Sequence, residues 1–304
     1  MRQTNKIRKG IAWLLCTVLV LGILPMLPQM SMQISAAENA ASVFVDGVEL
    51  HAGSQEYFKN GDTADSGATG TYEDHSAYYD TAGELWLNNL EAHTIKADGN
   101  LIIYVCNNQA TNTNIVTATQ NETAIEVTGY LTIRYGGYGG GTGSLTVESD
   151  GKEAIQAGSG MTVSDGVEVK ARAKSGATAI SSGGVLKIDG IRTKLEAAGD
   201  GSTGKGIFAQ QSIYVKNSAV LTAFGGAAAY ESPSGIDKSG YGYEDYNVFT
   251  GDAAPGTQAA QDTVLDGYKY IRIEPTGVAN VKTLTELQAA AQNQYISLIN
   301  VMND

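Results

Sequence analysis

The sequence predicts an all-β fold, a right-handed parallel β-helix (solenoid) with about 25–30 residues and three strands in each coil. One pattern opens on an isoleucine and returns along the chain, at Ile95, Ile125, Ile155, Ile180 and Ile207. The steps between these positions are 30, 30, 25 and 27 residues, and such a period is typical of stacked repeats. Apolar residues follow six and eight positions later, as at Leu131 and Ile133. This alternation predicts strands rather than helices.

Each coil should hold a third short strand, because another apolar pair such as Leu145 and Val147 precedes the next isoleucine. The strands are separated by residues that tolerate left-handed backbone, as at Asp165-Gly166 and Asp189-Gly190. A single coil cannot bury its apolar side alone, so we expect stacked coils around one continuous core. The signatures of WD40 propellers and leucine-rich repeats are not found in the sequence.

Residues 1–37 have the features of a secretory signal peptide. A basic start precedes the apolar run from Ile11 to Leu24, and the small residues Ser35, Ala36 and Ala37 precede Glu38. A membrane anchor is the alternative, but the apolar run has 14 residues, short of the ~20 that span a bilayer. We therefore expect a secreted, extracellular protein that begins near Glu38 and can associate with the cell surface.

The segment 38–91 is predicted to be an N-terminal β cap that includes the first strand, and 92–276 the parallel β-helix. Alternation from Val43 to Leu50 predicts a hairpin about Asp46-Gly47, and the polar stretch from Gly53 to Gly70 predicts a loop. Ile236 lies 29 residues after Ile207, which predicts that it opens a sixth coil. A cap would protect the strand edges of the end coil.

The segment 277–304 is predicted to be a linker followed by a helix and a strand. Leu284, Leu287 and Ala291 have helical spacing, and the stretch from Ile296 to Asn300 has the composition of a strand. Two interpretations are open, a C-terminal cap and the truncated start of a second β-helix, and we favour the second.

Charge and cysteine content restrict the classes of partner. Without residues 1–37 the chain has 16 Lys and Arg (20 less four) against 32 Asp and Glu, a net charge of −16. Such a surface disfavours nucleic acid and anionic membranes as partners, and we expect a monomer that inserts into no membrane after signal cleavage. Cys106 would be the remaining cysteine, so no intrachain disulfide is expected.

No catalytic constellation is evident in the predicted register, so we expect a protein that is not an enzyme. Calcium-dependent lyases need clustered carboxylates and an arginine base, and glycoside hydrolases need paired carboxylates at a set separation. The outward charges of the third strands, such as Glu148, Glu168 and Lys170, are mixed in sign and typical of a solvated face. No cofactor is predicted, and the sequence leaves open whether Ca²⁺ is bound.

The outer face of the second strands carries the candidate binding residues, Tyr130, Arg134, Lys187, Tyr214 and Lys216. Coils stack at about 4.8 Å, so these side chains would form a ladder along the solenoid. Tyrosines can pack on sugar rings, and lysine or arginine can pair with uronate carboxylates. The alternative is that any solenoid face exposes some Tyr and Lys for solubility.

The Ala-Ile-x-x-x-x-x-Leu-Thr-Ile pattern of 124–133 recurs at 154–163 as Ala-Ile-x-x-x-x-x-Met-Thr-Val and at 179–188 as Ala-Ile-x-x-x-x-x-Leu-Lys-Ile. With the stretches 83–90 and 268–275, it resembles secreted right-handed β-helix carbohydrate-binding domain proteins of clostridia-type bacteria, within the pectate-lyase-like superfold. The resemblance covers about 42–275 and implies a non-catalytic binder of plant or cell-wall polysaccharide. The basic residues Arg134, Lys187 and Lys216 favour an acidic glycan such as polygalacturonate. A polysaccharide lyase or hydrolase, and a structural surface protein or adhesin, are the alternatives.

Overall fold

The structure is a computed structural model of the chain. It describes residues 39–106, 113–137, 142–238, 244–260, 262–292, 296 and 298–302. The predicted signal peptide at 1–37 lies outside the described residues.

The described chain is a β-solenoid of about five coils, as the repeat predicts. Each coil contributes one strand to each of three sheets, and the strands of successive coils pair in parallel. Apolar side chains from the inward positions of all three sheets form one continuous core. The all-β parallel solenoid that the sequence predicts is confirmed.

Sheet 1 contains the first strand of each coil and is ordered β2-β1-β7-β10-β13-β16-β19-β22. Its strands are β1 (Ser42–Val45), β2 (Val48–His51), β7 (Ile95–Ala97), β10 (Ile125–Val127), β13 (Ile155–Ala157), β16 (Ile180–Ser182), β19 (Lys205–Ala209) and β22 (Ala228–Glu231). The five repeated isoleucines lie in register on neighbouring strands, and each is fully buried. The predicted register of the repeat is therefore confirmed.

Sheet 2 contains the second strands and is ordered β23-β20-β17-β14-β11-β8-β5-β4-β3. Its strands are β3 (Glu56–Phe58), β4 (Ala77–Tyr79), β5 (Glu84–Leu87), β8 (Leu101–Val105), β11 (Tyr130–Tyr135), β14 (Gly160–Ser164), β17 (Leu186–Asp189), β20 (Ile213–Lys216) and β23 (Ile236–Asp237). Strand β3 lies inside the stretch that we predicted to be a loop, and it pairs antiparallel with β4.

Sheet 3 contains the third strands and is ordered β25-β24-β26-β21-β18-β15-β12-β9-β6. Its strands are β6 (Glu91–Ala92), β9 (Asn114–Gln120), β12 (Ser144–Asp150), β15 (Glu168–Lys174), β18 (Lys194–Gly199), β21 (Val220–Gly225), β24 (Glu244–Gly251), β25 (Thr257–Ala259) and β26 (Tyr270–Val281). From β21 onward the pairing becomes antiparallel, so this end of sheet 3 departs from the solenoid pattern.

The corner between sheets 1 and 2 brings the backbones of successive coils very close together. A Cβ placed on Gly183 would lie 1.9 Å from the carbonyl oxygen of Gly158, and one on Gly158 would lie 2.1 Å from that of Thr128. Only a residue without a side chain fits such an approach. At another corner Asp165 has φ 59° and Gly166 has φ 84°, as the predicted turn requires.

The N-terminal cap begins with the predicted hairpin. Strands β1 and β2 pair antiparallel about Asp46 (φ 51°) and Gly47 (φ 78°), so both turn residues have the left-handed backbone of a two-residue hairpin. Strand β1 then pairs antiparallel with β7, with Val45 opposite Ile95. The hairpin therefore covers the sheet 1 edge of the first coil.

The predicted role of Ile236 is wrong. Ile236 pairs with Ile213 on sheet 2, and the sheet 1 position that follows Ile207 is Tyr230, 23 residues on. The coil is shorter because only Gly226 and Ala227 connect β21 to β22, whereas five residues connect β18 to β19. Extrapolating the period of the longer coils therefore points to a residue beyond the actual sheet 1 strand, β22.

The C-terminal segment forms a small βαβ unit. Helix α1 (Leu284–Gln292) connects β26 to β27 (Leu298–Val301), and β27 pairs in parallel with the end of β26. Ala279, Val281 and Ala290 form a second, smaller buried cluster here. The boundary predicted at 276 lies inside β26. Among the described residues, no helix has the length and apolar character needed to cross a membrane.

Candidate functional site

The outer face of sheet 2 carries a row of large side chains in register across five strands. Tyr57, Tyr78, Trp86 and Tyr104 lie on β3, β4, β5 and β8, and Arg134 follows on β11. Each is partly exposed, and at least one neighbour on its strand is buried in the core. Alternation along each strand therefore places all five on one surface. We call the four aromatic residues the aromatic stack.

The rings of the aromatic stack pack against one another along the solenoid. Tyr78 and Trp86 have centroids 5.7 Å apart with 3° between their planes, and Trp86 and Tyr104 are 4.0 Å apart at 9°. Tyr57 is tilted against Tyr78 at 5.8 Å and 44°. The guanidinium carbon of Arg134 lies 4.3 Å from the Tyr104 centroid, in a cation–π contact. The middle rings thus have covered faces, and their edges point toward solvent.

Two carboxylates lie beside the stack. Asp80 accepts a hydrogen bond of 3.0 Å from the indole N–H of Trp86, and Glu84 lies 3.6 Å from the guanidinium of Arg134. Partial burial raises the pKa of Glu84, and the charge of Asp80 raises it further, while Arg134 opposes both effects. These contacts hold the Trp86 and Arg134 side chains in fixed orientations.

Gly136 and Cys106 pack at the edge of the stack. A Cβ on Gly136 would lie 2.9 Å from the Cβ of Tyr104 and 3.0 Å from both the Cys106 sulfur and Trp86 Cζ3. Burial raises the pKa of the Cys106 thiol to about 11. Burial, with smaller effects of neighbours including Asp80, raises that of Tyr78 to about 12. The thiol and the phenol are therefore neutral at physiological pH.

At the other end, the loop between β3 and β4 adds two further rings. The His75 ring lies 5.3 Å from Tyr57 and 5.2 Å from Tyr78. Tyr72 meets Tyr57 edge to face at 6.4 Å and is 76% exposed. The aromatic surface therefore continues from the solenoid onto the cap.

Among the predicted residues, Arg134 borders the aromatic stack and Tyr130 begins the same strand. The Tyr130 hydroxyl lies 2.7 Å from that of Thr162. A Cβ on Gly160 would lie 2.7 Å from the Tyr130 ring, so the ring leans over this glycine on the next coil. Tyr130 is thus fixed across two coils.

The other three predicted residues, Lys187, Tyr214 and Lys216, lie together toward the C-terminal end of the face. The Lys187 ammonium is 2.5 Å from the carboxylate of Asp189, and the Lys216 ammonium lies 4.6 Å from the Tyr214 centroid. Three strand steps separate Lys216 from Arg134, about 14 Å at the usual strand spacing. The predicted residues do share one face, but they form two groups.

The sequence analysis missed Tyr57, Tyr78 and Trp86 as candidate site residues. They lie in the cap on strands before the isoleucine repeat, so the repeat register does not reach them. The sequence does contain a signal for Trp86. Leu85, Trp86 and Leu87 alternate between apolar and larger aromatic residues, so a strand here would point Trp86 outward and both leucines inward.

A scan of protein-family models, a search of curated proteins and a search of solved structures find no match to this chain. Within the part of the chain that the structure describes, no three His, Cys, Asp or Glu side chains are grouped so that they could hold a metal ion.

Proposed function

We propose that this chain is a non-catalytic polysaccharide-binding protein, secreted or held at the cell surface, which binds a glycan chain along the outer face of sheet 2. The observation that carries the proposal is the aromatic stack with Arg134, a continuous and partly exposed surface across five strands. The resemblance to clostridia-type β-helix carbohydrate-binding domain proteins supports the ligand class, and the predicted signal peptide supports export.

The stack suits a linear polymer better than a compact small molecule. Strands repeat at about 4.8 Å along the solenoid, so a chain lying along this axis meets a similar set of groups at each step. Ring edges carry partial positive charge and attract the oxygen atoms of sugar hydroxyls. Many weak contacts along one polymer add up, because each bound unit raises the effective concentration of the next.

An enzymatic function is the second candidate, and one observation favours it. Glu84, whose pKa is raised, lies near Asp80 and Arg134, and a carboxyl group with a raised pKa can act as a general acid in glycoside cleavage. In this candidate Glu84 would protonate the leaving oxygen of a glycan on the stack.

Binding and cleavage can be measured in one experiment. The protein is incubated with a panel of soluble and insoluble polysaccharides, and depletion from solution is followed together with new reducing or unsaturated ends. We expect depletion without new ends, and about tenfold weaker binding for Trp86→Ala. Phe208→Ala is the matched control, because Phe208 is a partly exposed aromatic residue on the outer side of sheet 1.

Two results would count against the proposal. Binding to no polysaccharide in the panel would leave a structural or adhesin role as the better explanation. Product formation that is abolished by Glu84→Gln would establish the enzymatic candidate instead. Circular dichroism of each variant checks that the solenoid is intact.

A further inference from the structure

We infer that the glycan held on sheet 2 is uncharged, and that the carboxylates of this face exclude acidic polysaccharides. The inference rests on the proposed function and names the ligand class of the same site. The sequence alone favours an acidic glycan. The structure favours an uncharged one, because the cations predicted to bind an acidic glycan already have partners within the protein.

Arg134 is held from two sides. Its guanidinium lies 3.6 Å from Glu84 and over the Tyr104 ring, and it donates a hydrogen bond to the Tyr104 hydroxyl. The Arg134 side chain is 31% exposed and that of Glu84 is 20% exposed. A uronate carboxylate that replaced Glu84 would separate this partly buried carboxylate from its cation, which is unfavourable.

The second group of cations also has partners within the protein. Lys187 pairs with Asp189 at 2.5 Å, and Asp189 also accepts a hydrogen bond from the Asn217 amide. Lys216 lies opposite Asp189 in the strand register, with its ammonium over Tyr214. A carboxylate from a ligand would therefore meet Asp189 where it approached Lys187, on the strand next to that of Lys216.

The charge balance of the face follows from these positions. Asp237 on β23 lies opposite Tyr214 in the strand register and adds a further carboxylate to the face. Among the described residues named at the site, Arg134, Lys187 and Lys216 then stand against Asp80, Glu84, Asp189 and Asp237. Three cations and four carboxylates give no positive potential, and the whole chain has a net charge of −12. A polyanion would thus be repelled at long range as well as in contact.

Neutral groups are also exposed on this face. Thr132 and Thr162 are partly exposed neighbours in register on β11 and β14, and the Thr162 hydroxyl lies 2.7 Å from that of Tyr130. A hydroxyl both donates and accepts hydrogen bonds, which complements the hydroxyls of an uncharged sugar.

The test compares polymers that share a backbone and differ in charge. Polygalacturonate is paired with its fully methyl-esterified form, and carboxymethylcellulose with hydroxyethylcellulose. In a pair that binds, we expect the neutral member to bind at least about tenfold more tightly at low salt. We also expect the difference to shrink as salt rises, because screening weakens the repulsion.

A charge variant tests the cause. Glu84→Gln with Asp189→Asn releases the cations, so affinity for the acidic member should rise about tenfold. Glu148→Gln with Glu168→Gln makes the same change in net charge on sheet 3, where both residues pair with lysines, and should change the ratio of affinities much less.

The outcomes separate the two proposals. Tighter binding of the acidic member by the unmodified protein would overturn the inference and leave polysaccharide binding standing. An unchanged ratio of affinities in the sheet 2 double variant would also overturn it. Absence of binding to both pairs and to the wider panel would reject the proposed function itself.

Discussion

The indole of Trp86 lies face to face with the phenol ring of Tyr104, with centroids 4.0 Å apart and 9° between the planes. Trp86 belongs to the cap strand β5 and Tyr104 to β8 of the first full coil, and the two strands pair in parallel. Arg134 covers the other face of Tyr104. The contact therefore joins the cap to the solenoid on the same face that carries the candidate site.

Replacing Ile155 with Asp should prevent folding. Ile155 is fully buried between Ile125 and Ile180, so the new carboxylate would lie in the dry core without a partner. Far-ultraviolet circular dichroism and limited proteolysis would report the loss. Gln156→Asp, at the exposed neighbouring position on the same strand, should fold normally. A cooperative unfolding transition in Ile155→Asp would contradict the register.

Gly183→Ala should destabilise the solenoid by about 1–3 kcal/mol. The added methyl group would lie 1.9 Å from the carbonyl oxygen of Gly158, and neither backbone can move without disturbing both coils. Chemical denaturation measures the change in the free energy of unfolding. Ser181→Ala, at a partly exposed position two residues earlier, is the control. Equal stabilities of the two variants would show that this corner is not tightly packed.

Asp62→Asn should reduce stability at neutral pH and have less effect in acid. Burial raises the pKa of Asp62, but hydrogen bonds from Thr69 and from the Lys59 backbone outweigh burial and lower it. A carboxyl with a lowered pKa stabilises the fold above its unfolded pKa of about 3.9, and this contribution is lost as pH falls through the folded pKa.

Denaturant titrations at several pH values test this dependence. The stability difference between Asp62→Asn and the unmodified protein should be constant above about pH 5 and shrink below about pH 4. Asp65→Asn changes an exposed carboxylate in the same loop and is the control. A difference that stays constant down to pH 2 would show that the carboxylate charge is not the cause.

Cys106 should react slowly with iodoacetamide. Burial raises the pKa of its thiol from 9.0 to about 11, which leaves about a hundredfold less of the reactive thiolate at pH 8. Mass spectrometry of the Cys106 peptide measures the rate. Thr117→Cys in a Cys106→Ser background places a thiol at an exposed position and should react much faster. Similar rates at the two positions would contradict the burial of Cys106.

The isoleucine repeat was sufficient to predict the three-stranded coil and its register, because each inward position contacts its equivalent one period away. Ile95 and Ile207 could thus be aligned without knowing the structure. Ile236 could not be placed, since the two-residue connection from Gly226 to Ala227 shortens the last coil. Coil length depends on the lengths of the turns between strands, and the period of earlier coils does not predict the turn lengths of the next one.

The candidate site was predicted only in part. The register placed Arg134, Lys187 and Lys216 on one face of sheet 2, but it could not show that Glu84 and Asp189 lie beside two of these cations. Glu84 precedes the repeat in the sequence. The ion pair from Lys187 to Asp189 depends on how a flexible side chain bends along its own strand.

Strand β26 belongs to two cores of very different size. Ile271 and Ile273 are buried in the main core, whereas Ala279 and Val281 belong to the small cluster with Ala290. Local unfolding requires less free energy where few apolar groups are buried. Amide hydrogen exchange should therefore divide this single strand near its middle. Protons before Pro275 would exchange only when the whole solenoid opens, and those of the last residues would exchange each time the βαβ unit frays.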